Sequence, residues 1–243
     1  MSTPIQPHGF VFNSMEKRNK SENCIEEAYK DLKKLMLQRK LIPGQKLLYR
    51  ELIETLHMSK TPIINALNRL EQEGFIVSEN NRGYAVKPLD PREILDATEV
   101  REALEVKAVQ LAALRGKPAD LKLLEEKLLR SQEYRPPGND TKKMTLNAEF
   151  HLQIAEMSGN KVLKYLLRRN FEHVILRIEL KWVAPGRMAS SAEEHRLLFE
   201  SLRERDASKA RDLMEAHVRN SRDAMVRSLS QEGDREEWMD FFS

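Results

Sequence analysis

Three histidines stand where apolar residues are expected. His151 follows Asn147 by four positions and adjoins Ile154, His195 lies in line with Leu198 and Leu202, and His217 follows Leu213 and Met214 at helical spacing. Residues three or four apart share a helix face, so each imidazole is turned toward a core. One such histidine is either a hydrogen-bonded core residue or a ligand. Three of them, one with an asparagine on its own face, favour convergence. Imidazoles from different helices can hold a divalent transition metal, and a nitrogen-and-oxygen set without thiolate suits zinc, nickel, manganese or iron. A five- or six-coordinate ion would keep positions for an organic acid.

Arg101 is the candidate for anion capture. It lies on the inward stripe of its helix between Ala97, Leu104 and Ala108, where an unpaired charge is costly. The alternative is that Glu105, four residues on, simply pairs with it. His173 and Arg177 are further candidates to line an effector cavity.

A different chemistry is written in SKTPIINALNRLEQEG, residues 59–74. Ile63, Ala66, Leu67 and Leu70 form an inward stripe, which leaves Lys60, Thr61, Ile64, Asn65 and Asn68 on the other side. Ser59 suits the N-cap and Gly74 the left-handed end. In helix-turn-helix docking the start of the second helix of the motif meets base edges in the major groove. Lys60 suits guanine or phosphate, Thr61 a phosphate or a thymine methyl, and Asn65 or Asn68 adenine. Ile64 is either a thymine-methyl contact or a stray apolar side chain. Arg50 suits a phosphate, and Arg82 with Gly83 at a hairpin tip suits the minor groove or a phosphate.

Several elements must position these residues. Residues 1–22 read as a flexible arm without periodicity, and a helix follows from about Cys24 to Lys40. Pro43-Gly44 stops it, a short helix spans about Tyr49 to His57, and the 59–74 helix comes third. Phe75–Val77 and Tyr84–Val86 flank a polar turn, a hairpin signal. Three helices and a hairpin make a winged helix-turn-helix over 23–88. Asp90, Pro91 and Glu93 open the next helix as a capping box. Helices then read at about 91–115, 119–134, 142–157, 161–182, 191–204 and 207–229, with no strand signal. The expected fold is mainly α, the winged unit being followed by an all-α bundle of six to seven helices over 89–230 and a tail at 231–243 that holds Trp238, Phe241 and Phe242.

Bulk properties agree. At 243 residues, two domains with real cores are expected. No apolar run approaches a membrane span and no secretory signal opens the chain, so the expected location is cytoplasmic, with no membrane partner. Cys24 is the single cysteine, which excludes an internal disulfide and any thiolate cluster. Residues 1–90 carry 14 Lys/Arg against 11 Asp/Glu, whereas residues 91–243 carry 27 of each, so the excess charge sits where a polyanion would be met.

The run IPGQKLLYRELIETLHMSKTPIINALNRLEQEGFIVSENNRGYAVKPLDPREI resembles the DNA-binding domain of the GntR family of bacterial transcription regulators. It shares the proline-glycine turn, the short helix, the Thr-Pro recognition-helix start, the Ala-Leu-x-x-Leu run ending at Gly74 and the glycine-bearing wing. Lys60 and Ile64 stand where that family usually has arginines. NAEFHLQIAEMSGN, EEHRLLFESLRERDASKARDLMEAH and EVREALEVKAVQLAA are similar to segments of the FCD effector domain, the helical half of one GntR subfamily. That resemblance implies metal ligands at Asn147, His151, His195 and His217, with asparagine where the family has an acid, and an arginine of the first FCD helix, here Arg101, facing the ligand. It implies a homodimeric regulator, most often a repressor, that binds a palindromic double-stranded operator, a divalent transition metal and a small carboxylate. The rival readings are a metal-dependent hydrolase on the bundle and a DNA-binding dimer with a purely structural C-terminal domain.

Overall fold

A computed structural model of the chain describes residues 10–79, 83–135, 140–183 and 186–231. It divides into two compact units, Met1–Lys87 and Pro88–Ser243. In the first, α1 (Phe10–Leu37) is followed by β1 (Lys46–Leu47), α2 (Tyr49–Leu56), α3 (Lys60–Gln72), β2 (Ile76–Glu79) and β3 (Gly83–Val86). Ala28, Leu32 and Met36 of α1 pack with Leu52 of α2, Ile63, Ala66, Leu67 and Leu70 of α3, and Phe75 and Val86 beside and within the sheet, all of them buried. These are the stripes that helical spacing predicts.

Two features go beyond the sequence expectation. The first helix starts at Phe10, inside the stretch expected as an arm. Its second half is held by packing, and adding residues such as Met15, Glu16 and Lys17 to an existing helix needs no new nucleus. The sheet has three strands in the order β1-β3-β2, with Leu47 opposite Tyr84 and Val77 opposite Ala85. A two-residue strand is too short to show alternation, so β1 is invisible to periodicity.

Helix α3 ends as its sequence requires. Gly74 takes φ +77, its N–H bonds the Glu71 carbonyl, and the Phe75 N–H bonds the Leu70 carbonyl. Those are the paired bonds of a Schellman motif, which needs a residue tolerant of the left-handed region at this point.

The second unit holds α4 (Pro91–Arg115), α5 (Pro118–Glu133), α6 (Thr141–Met157), α7 (Lys161–Arg177), a 3-10 turn (Leu180–Trp182), α8 (Arg187–Arg203) and α9 (Ala207–Gln231). The capping box on α4 is formed: Arg92 N–H donates to Asp90 Oδ1 at 2.7 Å and Asp90 N–H to Glu93 Oε2 at 3.1 Å. The helix expected over 161–182 is shorter, because Ile178 turns extended (φ −67, ψ 140). Burial of Ile178 and Val183 against Leu89 and Ile94 outweighs the hydrogen bonds a continuous helix would add. Among the described residues no helix is long and apolar enough to cross a membrane. Trp238, Phe241 and Phe242 lie outside the described residues.

Candidate metal centre and nucleic-acid interface

Within the second unit α6 supplies Asn147 and His151, α8 supplies His195, and α9 supplies His217. Helical spacing turns the three imidazoles into one place, where each is about 1% exposed. Their ring centroids are 4.8–5.0 Å apart, and one ligand-capable nitrogen of each lies within 4.8 Å of the others. Phe150 stacks on His195 at 4.5 Å, which fixes the ring and excludes water.

Two carboxylates orient the cluster. Glu194, one residue before His195, accepts from His217 Nδ1 at 2.6 Å, from Arg187 Nη2 at 2.6 Å and from Asn220 Nδ2 at 2.9 Å. An ionised carboxylate only accepts, so His217 carries its proton on Nδ1 and its Nε2 keeps a lone pair. Glu105 of α4 takes the Nε–H of Arg101 on Oε1, and its Oε2 lies against His151 Nδ1. Among the described residues, Nε2 of His151 and Nε2 of His195 have no hydrogen-bond partner. A buried polar atom without a partner is expensive, and neutral imidazole nitrogens facing one another are a natural cation site.

Electrostatics keep the imidazoles neutral. Burial drives His217 down to about 4 against the opposing pull of Glu194. Burial, reinforced by the neighbouring His151 and His217, holds His195 well below its usual range. His151 is lowered by burial despite Glu105. For both acids burial acts upward but is outweighed. Arg101 and His151 bring Glu105 to about 2, and His217, Arg187 and Asn220 bring Glu194 to about 2.

Beside the imidazoles lies a cavity of about 120 Å³, whose polar wall includes Arg101, Asn147, Asn170, Arg187, Ser191 and His217. Arg101 stands between Glu105 and the cavity. It pairs with Glu105, and it also faces the cavity with Nη2 at 3.4 Å from His217 Nε2. His173 and Arg177 do not line this cavity. The inward face of α7 is Asn170, Phe171, Val174 and Ile175, which leaves His173 to one side. Arg177 is buried elsewhere and donates from Nη2 to the Pro88 carbonyl at 3.0 Å and to Glu93 Oε2 at 2.6 Å. Its function is to tie the end of α7 to the start of α4. Arg187 and Glu194 escaped the sequence reading. Arg187 was hidden in a stretch that looked only like a helix break, and Glu194 is one of two adjacent acids whose facing could not be told apart.

In the first unit Ser59, Lys60, Thr61, Asn65 and Asn68 are exposed and Ile64 is partly so. Ser59 occupies the N-cap position with extended backbone but makes no side-chain cap bond, so its hydroxyl is left to other partners. Lys60 Nζ stands 5.5 Å from the Tyr49 ring centroid. Tyr49 in turn meets Tyr84 edge-on at 6.3 Å, and the Tyr84 hydroxyl donates to Asn68 Oδ1. The two tyrosines, which the sequence reading passed over, therefore brace the reading face of α3 from α2 and from the wing. Asn65 spends one amide hydrogen on the Thr61 carbonyl at 3.0 Å. Arg50 is 90% exposed and, among the described residues, pairs with Glu54 at 3.1 Å, a contact a phosphate can replace at small cost. Gly83 opens β3 with φ +93. Arg82 lies outside the described residues.

A helix pair of this kind with a three-stranded wing and an exposed third-helix start defines a DNA-binding protein of the winged helix-turn-helix class. The chain belongs to the gntR family of bacterial regulatory proteins and carries an FCD domain; residues 24–86 match the former and residues 96–220 the latter. The Nta operon transcriptional regulator of Aminobacter aminovorans is 28% identical over 184 residues, 76% of this chain and 86% of that one. The HTH-type transcriptional regulator YdhC of Bacillus subtilis is 26% identical over 190 residues, covering 78% and 85%. The solved structure of E. coli McbR/YncC superimposes with a TM-score of 0.73 at 23% identity, over 85% of this chain and 98% of that one. The protein is thus a transcription regulator and not an enzyme.

Proposed function

We propose that this regulator holds a divalent transition metal at His151, His195 and His217 with Asn147 beside them, admits a small organic acid to the adjoining cavity, and acts as a homodimeric repressor on a palindromic operator. The observation that carries the reading is the convergence of three buried imidazoles from three helices, two of them with Nε2 lacking a partner among the described residues. The donor set fits zinc, nickel, manganese or iron. The ion would supply a Lewis-acidic anchor for a carboxylate. Arg101 supplies the second anchor, on the wall of the adjoining cavity of about 120 Å³. Asn147 and Asn170 offer hydrogen bonds that select the acid's polar substituents.

On DNA, Lys60, Thr61, Asn65 and Asn68 address the major groove, with Ile64 placed for a thymine methyl. Ser59 and Arg50 meet phosphates, and Gly83, with Arg82 before it, brings the wing backbone close to the duplex. One short recognition helix reads few base pairs, so specificity calls for two copies on half-sites about one or two turns apart. A dimer so placed blocks access to the duplex it covers.

The reading is tested by the metal content of purified protein, before and after His195→Ala. The variant is expected to lose its stoichiometric metal and its response to added acids while keeping operator affinity. Unchanged metal content would remove His195 from the site.

A further inference from the structure

We propose that Asn147 makes cation binding conditional on an anion, so that the ion and a carboxylate enter this site as a pair. The inference rests on the metal reading above and adds a charge balance. The charged groups in contact with the imidazoles are Arg101 paired with Glu105 and Arg187 paired with Glu194. Their charges cancel, and the imidazoles must be neutral to offer lone pairs. A doubly charged ion is therefore uncompensated by the protein, in a cluster whose histidines are about 1% exposed. Asn147, four residues before His151 on the same face of α6, contributes an amide and no charge. An acid at that position would cancel half of the excess.

A buried site does not hold two unbalanced charges without a large desolvation penalty. The balance has to come through the cavity, and its wall is prepared for an anion. Asn147 makes no side-chain hydrogen bond among the described residues, so both ends of its amide are available. Arg101 commits Nε to Glu105 and touches His217 through Nη2, and Nη1 has no hydrogen bond among the described residues. An incoming carboxylate thus finds a guanidinium N–H, an amide N–H and the ion's own charge on one wall. By reciprocity, the factor by which the anion raises the affinity for the ion equals the factor by which the ion raises that for the anion.

The test uses cobalt(II) as the probe ion and azide and acetate as probe anions, on the full chain. Affinity for cobalt(II) is measured by competition with a chelating dye in a zwitterionic buffer with perchlorate as the only salt anion, then with azide or acetate added. The visible spectrum of the bound ion reports anion entry independently. For the natural sequence, azide or acetate is expected to tighten cobalt(II) roughly 5–150-fold and to change the spectrum. For Asn147→Asp, cobalt(II) in perchlorate alone is expected to bind roughly 10–100-fold tighter than to the natural sequence, the usual size of effect at a metal-site partner, and the gain from anion to shrink. The proposal is overturned if neither anion changes cobalt(II) affinity in the natural sequence, a result that needs no variant to fold, or if Asn147→Asp folds and fails to tighten the ion. Absence of cobalt(II) uptake in every buffer would instead strike the metal reading itself.

Discussion

Acidification should loosen the C-terminal unit of the metal-free protein, and the size of the effect follows from His217. The side chain is about 1% exposed, and burial brings its folded value to about 4, against about 6.5 in an unfolded chain. Because folding lowers the value, the unfolded chain takes up the proton first as pH falls. Stability from this residue is therefore complete above about pH 6.5 and is lost progressively between about 6.5 and 4. At pH 5 the loss from His217 alone is about 2 kcal/mol, equivalent to a roughly 30-fold rise in the opening equilibrium. His151 and His195 are shifted in the same direction and add to it. Glu105 and Glu194, held at about 2, contribute only below the ordinary carboxylate range of about 4 and leave the upper window to the imidazoles. Hydrogen exchange read by mass spectrometry localises the change. Between pH 7.5 and 5, protection factors in the middle of α6, α8 and α9 should fall about 30-fold or more, while those of α3, which has no part in the cluster, should hold. Protection in α6, α8 and α9 that is unchanged, or that falls equally with α3, would refute the neutral-imidazole account.

Three other outcomes are expected. Leu67→Ala removes a fully buried side chain from α3 and should cost about 2–5 kcal/mol, seen as a lower melting temperature for the N-terminal unit with a parallel loss of operator binding; a shift under about 1 kcal/mol would mean that the stripe is not core. Arg177→Met removes the Nη2 donor to the Pro88 carbonyl and to Glu93 and should cost about 1–3 kcal/mol without changing the affinity for metal or acid, whereas a selective loss of acid binding would return Arg177 to the cavity wall. Lys60→Ala should lower the slope of log affinity against log salt by about 0.9 if its ammonium meets a phosphate, and an unaltered slope in titrations of duplex DNA would assign Lys60 to a base edge or to no contact.

What was legible in the sequence is what periodicity and local capping control. The Ile63, Ala66, Leu67 and Leu70 stripe, the Asp90-Pro91-Glu93 start of α4 and the Gly74 end of α3 are each set within a few residues, and each forms as expected. The convergence of His151, His195 and His217 was likewise readable, since an imidazole on an apolar stripe has only the core to face. The remainder depends on contacts between distant segments. β1 exists because β3 lies beside it. Ile178 leaves the helix because Leu89 and Ile94 wait for it. Arg177 lay on a helix with an inward face, yet at the last turn its long side chain reaches Glu93 instead of the cavity. Glu194 and Arg187 reach the imidazole cluster through His217, which is 23 residues from the one and 30 from the other, and no local pattern marks such a pair.

The imidazole cluster also bears on how a regulator of this kind can switch. Without a cation, the fold buries two Nε2 atoms that have no partner among the described residues, and each such atom costs about 1–3 kcal/mol. The arrangement of α6, α8 and α9 around them is thus less stable than the same helices with those nitrogens satisfied, and Arg101 with Glu105 extends the dependence to α4. A ligand shifts an equilibrium only by its differential affinity for the two states. Satisfying two orphaned nitrogens supplies a difference of about 2–6 kcal/mol, which exceeds the ~1–3 kcal/mol that a 5–150-fold change in operator affinity requires. On the proposed reading, the ion, entering with the acid, therefore does not have to deform a rigid bundle. It has to complete a site that the apoprotein holds at a deficit, and the helices that carry the deficit are those whose packing would respond.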